Sequence, residues 1–287
     1  MTVPVYQVDA FTDHAFAGNP AGVCLLDEGR DAAWMQQFAA EMNLSETAFV
    51  FDATSSNEAN DADAAQYDLR WFTPGAEVDL CGHATLASAH VLWSTDRVAE
   101  DQAITFHTRS GPLMIRRNGA WIDMNFPAQP AAAQVTEPQT QALVNMALDY
   151  EPIEIHRNQH DHLVLLRDAR QLRAMEPDFD ALAALEGRGV IVTAPSDDER
   201  YDFFSRYFAP KLRVAEDPVT GSTHCFLGPY WSKKLNKTEM SAYQISNRGG
   251  ALRLNIDEDR VHIAGQAVTV FEGVINDQAF ASATSKS

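Results

Sequence analysis

The sequence predicts an α+β protein of two similar domains related by pseudo-two-fold symmetry. Each is a curled, mostly antiparallel sheet around a central apolar helix. Three observations predict this. The stretch Glu77 to Trp93 turns at Gly82 and then runs apolar through Ala84, Leu86, Ala87, Ala89, Val91, Leu92 and Trp93, which leaves almost no polar face. A helix of that kind has to be buried. The same plan recurs at a constant offset of 139 residues, with Glu77, Gly82, His83 and Leu92 matched by Glu216, Gly221, Ser222 and Trp231. The remaining segments read as many short strands, the material from which a sheet can wrap a helix.

The matched flanks strengthen the repeat. Arg70-Trp71-Phe72-Thr73-Pro74 precedes the first copy and Arg206-Tyr207-Phe208-Ala209-Pro210 the second. Arg109-Ser110-Gly111-Pro112-Leu113 follows the first and Arg248-Gly249-Gly250-Ala251-Leu252 the second. Three blocks in one order make an internal duplication, which sets the domain plan. The first domain spans 1–127, residues 128–138 are a proline-rich linker, and the second domain spans 139–267.

In order along the chain, 3–10 alternate as a strand and Ala21 to Leu26 form a second. Residues 31–42 carry Ala32, Met35, Phe38, Ala39 and Met42 at helical spacing, with Asp31 as cap. Asn43 to Glu46 end that helix, and Thr47 to Phe51 form a strand. The small, polar, acidic run 53–65 reads as an exposed loop. Tyr67 to Phe72 is a strand that leads into the central helix, which runs to Ser94. Strands at 104–108, 113–115 and 121–124 follow, with turns at Gly111-Pro112 and Asn118-Gly119. After the linker come a helix at 141–148, strands at 153–155 and 163–166, a helix at 179–185, and strands at 189–193 and 203–208. The second central helix is expected from Gly221 to Lys234, kinked at Pro229. Strands at 252–256, 261–263 and 268–271 end the pattern, and 281–287 should fray.

Of 287 residues, 45% are hydrophobic and 22% charged, an ordinary globular balance. Net charge is −18, which argues against non-specific nucleic-acid or anionic-membrane binding. Cys24, Cys81 and Cys225 are too few and too far apart for a disulfide framework or a paired metal motif, so a reducing, cytoplasmic setting is expected. The N-terminal MTVPVYQVDAF has neither the basic region nor the apolar run of a signal peptide, and no stretch has the length of a membrane span.

Two such domains would present the starts of both central helices to a shared cleft, with Gly82 and His83 on one wall and Asp217, Gly221 and Ser222 on the other. Unpaired N–H groups at those starts favour an anion such as a carboxylate. Asp9-Ala10-Phe11, Gly18-Asn19-Pro20, Asn43-Leu44-Ser45-Glu46-Thr47, Arg70-Trp71-Phe72-Thr73-Pro74, Cys81-Gly82-His83-Ala84-Thr85 and Glu216-Asp217-Pro218-Val219-Thr220-Gly221-Ser222 closely resemble the PhzF-like isomerase family of phenazine biosynthesis. That family shares the diaminopimelate epimerase fold. The resemblance implies duplicated domains with the site between them, an isomerase without cofactor, often a homodimer, and a last strand, within 268–287, that commonly returns to the first domain; with the helix starts it makes a small carboxylate the expected substrate, and no metal is expected.

By the same resemblance Glu46 is the catalytic acid/base, and desolvation in a closed cleft would raise its pKa and suit it to take and return a proton. His83 would donate to substrate or relay a proton, and Asp217 would orient His83 or hold a substrate amine. Gly82, Gly221 and Ser222 would bind the carboxylate, and Ser45 and Asn19 are placed in the site by motif alone. A two-thiol racemase is the alternative enzyme, with Cys81 where one thiol would stand. However, its mate at the 139 offset is Thr220, and Cys225 reads as core. A non-catalytic binding protein on the same fold is the other alternative. His156, His160 and His162 lack a carboxylate partner motif and read as a solvated strand edge, and His90 reads as core.

Overall fold

The computed structural model describes residues 3–53 and 63–276. Most of the loop expected over 53–65, and all of the tail at 281–287, lie outside the described residues. In chain order the elements are β1 (Val3–Ala10), β2 (Asn19–Leu25), α1 (Ala32–Met42), β3 (Glu46–Asp52), β4 (Ala65–Phe72), β5 (Glu77–Val78), α2 (Gly82–Ser94), β6 (Ile104–Thr108), β7 (Gly111–Asn118) and β8 (Trp121–Pro127). There follow β9 (Ala133–Gln134), α3 (Pro138–Leu148), β10 (Glu154–Arg157), β11 (Asp161–Leu165), α4 (Ala169–Ala174), α5 (Phe179–Ala184), β12 (Gly189–Pro195) and β13 (Phe203–Ala209). The last are β14 (Val214–Asp217), α6 (His224–Leu235), β15 (Glu239–Gln244), β16 (Gly250–Asp257), β17 (Arg260–Gly265) and β18 (Ala267–Ile275). No helix among the described residues is long and apolar enough to cross a membrane.

The architecture is mixed α+β and sheet-rich, and the chain divides into two compact units: Met1–Asn125 with Ala264–Ser287, and Phe126–Ile263. In the first unit β1 pairs antiparallel with both β18 and β2. The succession is then β2–β3 parallel, β3–β4 antiparallel, β4–β6 parallel and β6–β7 antiparallel, with β5 antiparallel on β4. The second unit runs through the same succession. β10–β11 is antiparallel, β11–β12 parallel, β12–β13 antiparallel, β13–β15 parallel and β15–β16 antiparallel, with β14 antiparallel on β13.

The repeated sequence blocks have a physical content in this topology. Arg70 on β4 grips Glu77 on β5 through two bonds, Nε to Oε1 at 2.7 Å and Nη2 to Oε2 at 2.8 Å. Arg206 on β13 grips Glu216 on β14 in the same way, at 2.7 and 2.9 Å. Each guanidinium also lies over a ring two residues on, Phe72 or Phe208. A bidentate arginine–carboxylate clamp fixes orientation as well as adding energy. In each unit it ties the short strand that precedes the central helix to the sheet.

In the first unit α2 is buried nearly all round and packs against β1, β2, β3 and β18. Its alanines permit the close approach. Its two buried hydroxyls are satisfied within the helix, Thr85 Oγ1 donating to the Cys81 carbonyl at 2.6 Å and Ser88 Oγ to that of Ala84 at 2.7 Å. Helix α1 is capped by Asp31, whose carboxylate accepts from the Ala33 N–H, and ends at Asn43 in the left-handed region. Trp34, Met35 and Ala39 bury its inner face with Phe49 and Phe72.

Several expectations need correction. The turn between β6 and β7 is at Arg109-Ser110, and Gly111 and Pro112 are already in β7. The 128–138 stretch is not a bare linker. Ala133 and Gln134 pair with β10, Val135 is buried, and Pro138 opens α3, where proline's missing N–H costs nothing. Helix α6 begins at His224, so Gly221 and Ser222 lie outside it, because Thr223 and the residues before it close i→i+3 turns instead. Pro229 does lie inside α6, and the Cys225 carbonyl that residue 229 cannot serve accepts the Gln129 N–H at 2.8 Å. His162 is not on a solvated edge. It is buried on β11, between β10 and β12, while His156 meets Glu154 at 3.0 Å and His160 is exposed. His90 is half-buried rather than core, its Nε2 3.0 Å from Thr269 Oγ1.

Candidate active site

In the first unit three side chains converge where β3 begins and α2 begins. Glu46 is the first residue of β3 rather than a loop residue, and its backbone pairs with Ala21 of β2. His83 is the second residue of α2, and Cys81 is the N-cap. Glu46 Oε2 stands 3.3 Å from His83 Nε2, with the glutamate side chain 20% and the histidine 7% exposed. The other ring nitrogen of His83, Nδ1, stands 3.5 Å from Cys81 Sγ.

The pair is not an ion pair at neutral pH. Burial alone holds the His83 pKa down at about 3, so the imidazole is neutral. Its Nε2 is buried and close to Glu46 without the alignment of a hydrogen bond. Cys81 provides no side-chain cap, so the first-turn N–H groups of α2 have no intrahelical acceptor. A partly exposed carboxyl, a neutral imidazole and a helix start are thus grouped within a few ångströms. That set can take up a proton and hold a developing anion.

Gly82 opens α2 and Ser45 immediately precedes Glu46. Asn19 is buried at the start of β2, opposite Ala10. The loop before it is built by two devices. The Asp9 carboxylate accepts the Phe16 N–H at 2.7 Å, and Gly18 adopts φ +63°, where a Cβ would sit 2.1 Å from the Ala10 carbonyl oxygen.

In the second unit Asp217 ends β14, and Gly221 and Ser222 lie in the turn before α6. Asp217 accepts a short hydrogen bond from Thr220 Oγ1. The organiser of this turn is Gln244 on β15, which sequence reading missed. Its Oε1 accepts the Thr220 N–H at 2.9 Å, and its Nε2 donates to the Asp217 carbonyl at 2.7 Å. His224 Nδ1 meets the Thr220 carbonyl at 2.8 Å. Cys225 is buried, its thiol pushed up to about 12 chiefly by desolvation.

His224 gives the site region a testable acid sensitivity. Burial lowers its pKa to about 4, partly offset by its bond to the Thr220 carbonyl, against about 6.5 unfolded. The unfolded chain therefore takes up a proton that the folded chain refuses. The stability is fully present above pH 6.5, falls as pH drops toward 4, and loses on the order of 3 kcal/mol across that window. Denaturant melts at pH 7 and pH 4 should show His224→Gln losing less stability between the two than the parent. Equal losses in the two proteins would remove His224 as the cause.

Comparison with known proteins shows the family. The family model for phenazine biosynthesis-like proteins (PhzC-PhzF) matches residues 8–273. An uncharacterised isomerase of Halalkalibacterium halodurans is 49% identical over 94% of this chain and 97% of its own. The crystal structure of a phenazine biosynthesis PhzF-family protein of Enterococcus faecalis superposes with a TM-score of 0.85 at 42% identity, covering 96% of this chain and 100% of that one. A predicted epimerase of Pseudomonas aeruginosa shares the fold, with a TM-score of 0.69 at 20% identity over 95% and 98% of the two chains. Fold and homologues define the class, an isomerase of epimerase-like fold. Within that class the chain belongs to the phenazine biosynthesis-like (PhzC-PhzF) family.

Proposed function

We propose that the protein is a cofactor-independent isomerase that moves a proton on a small carboxylate-bearing metabolite, with Glu46 as the proton carrier. The observation that supports this most is the 3.3 Å approach of Glu46 Oε2 to the neutral, buried His83 imidazole at the open start of α2. In the proposed step the Glu46 carboxylate takes a proton from a carbon activated by the substrate's carboxylate. The electron pair left behind delocalises onto oxygen, where the first-turn N–H groups of α2 and His83 stabilise it. The Glu46 acid then returns the proton to another carbon, or to the other face of the same one, so no electrons are gained or lost.

Asp217, Gly221 and Ser222 serve the same substrate in this reading, Asp217 by holding a polar group and the two turn residues by backbone N–H donation. The two-thiol alternative is less well supported, because Cys225 is a core residue with a strongly raised pKa. A panel of small unsaturated and amino carboxylates in deuterium oxide, followed by proton NMR, tests the proposal. One member should gain deuterium at carbon in step with turnover. Turnover of a substrate with no solvent deuterium at carbon, and with full retention of the migrating hydrogen at high dilution, would point away from an exchanging carboxyl.

A further inference from the structure

We propose that Glu46, Cys81 and His83 form a site for a borderline-soft divalent cation, zinc above all, and that an ion bound there switches the enzyme off. The inhibitory half rests on the role given to Glu46 above; the binding half does not.

The donor set is the first reason. One ligand atom from each of the three residues lies within 4.8 Å of those of the other two. Glu46 Oε2 and His83 Nε2 are already 3.3 Å apart. Nitrogen and oxygen ligands about 2.0–2.1 Å from a tetrahedral zinc ion stand about 3.3–3.4 Å from each other. Sulfur at about 2.3 Å from the ion would stand about 3.5 Å from either. Sγ of Cys81 is now 3.5 Å from His83 Nδ1, so rotation of the Cys81 side chain has to carry it toward Nε2.

The second reason is the state of the histidine. Its Nε2 is buried, has no hydrogen bond and faces the glutamate. The third is selectivity. One thiolate, one imidazole and one carboxylate suit zinc, cobalt or cadmium, whereas magnesium and calcium prefer all-oxygen cages. Three protein ligands leave a fourth position for water, the arrangement of an open rather than a structural zinc site.

Binding is charge-balanced. The Cys81 thiol gives its proton to solvent, and the thiolate and the Glu46 carboxylate neutralise the dication. The ion then holds the carboxylate oxygen and the imidazole lone pair that proton transfer requires, so turnover stops. Reaction and metal compete for the same atoms, and free zinc would set the active fraction.

The test begins with chelator-treated protein titrated with cobalt(II) and then with zinc. One equivalent of cobalt should produce a thiolate-to-metal charge-transfer band and the intense visible bands of a four-coordinate ion, and zinc should abolish both. Cys24 and Cys225 lie in the core with raised thiol pKa values, so the sulfur signal reports Cys81. Cys81→Ser should lose the band and weaken zinc binding by roughly tenfold or more, with circular dichroism checking its fold. Glu46→Gln should weaken zinc while keeping the sulfur band, and His83→Asn should weaken both metals. A parent protein without the band, or zinc affinity unchanged in all three variants, overturns the site. Stoichiometric binding with full turnover in excess zinc would leave the site standing, and would overturn the switch together with the role of Glu46.

Discussion

Glu46→Gln is expected to lower turnover of the substrate found in the deuterium screen by roughly 10²–10⁴-fold, the range for loss of a general acid/base. It should leave the melting temperature nearly unchanged. The substitution keeps the side chain's shape and the β3 backbone, whose pairing with β2 runs through main-chain atoms. It removes only the ability to take up and return a proton. The Michaelis constant should change far less than kcat, because a carboxamide can still occupy the space beside His83. Glu46→Asp withdraws the carboxyl by one methylene and should recover part of the rate, which a purely structural glutamate would not show. Deuterium wash-in at carbon should fall in parallel with turnover. Near-parent kcat in the glutamine variant, with wash-in intact, would take the proton away from Glu46 and leave Cys81 as the remaining donor beside the imidazole.

How much of this was legible beforehand depended on whether a residue's neighbours lay in the same local pattern. Helix α2 was visible because a helix apolar on all sides has only one physical outcome. The repeat was visible because its matched arginines and glutamates do the same work twice, the clamps Arg70–Glu77 and Arg206–Glu216. Glu46 and His83 were named through motif blocks, but their contact joins residues 37 positions apart in sequence, which periodicity cannot show. The sequence offers Cys81 only as one thiol of a less favoured pair, and its 3.5 Å approach to the imidazole two residues on is a matter of side-chain direction, which spacing does not show.

Other misses have equally local causes. Strand β15 went unread because its inward positions are Met240, Ala242 and Gln244, and the buried glutamine breaks the apolar alternation. That glutamine is the residue that ties Asp217 and Thr220 together, so the strand and the turn it holds go unread together. Strand β14 is four residues, none of them buried, and is held by its clamp rather than by a core. The sequence places the start of α6 three residues early, at Gly221, because a glycine there signals a turn into the helix. In fact the chain passes through tight turns until His224.

The largest expected loss of stability away from the site is at Asp161. It opens β11, is 3% exposed and is held in an ion pair. Arg188 reaches it with Nη2 on Oδ2 at 2.6 Å and Nε on Oδ1 at 3.2 Å, and Tyr207 donates its hydroxyl to Oδ1 at 3.0 Å. The arrangement needs Gly189, where a Cβ would lie 2.6 Å from the Tyr207 hydroxyl. Breaking a fully buried pair costs about 3–5 kcal/mol, since a charge is left without compensation. Arg188 is 36% exposed at its side chain and can turn toward water, so Asp161→Asn should cost less, about 2–4 kcal/mol. Urea melts would read this directly. The decisive comparison is with Asp161→Asn/Arg188→Met, in which the stranded charge is gone. If uncompensated charge is the cause, the double variant is more stable than Asp161→Asn alone. If the double variant loses the sum of the two single changes, the pair is an ordinary set of hydrogen bonds and the electrostatic account of this strand start fails.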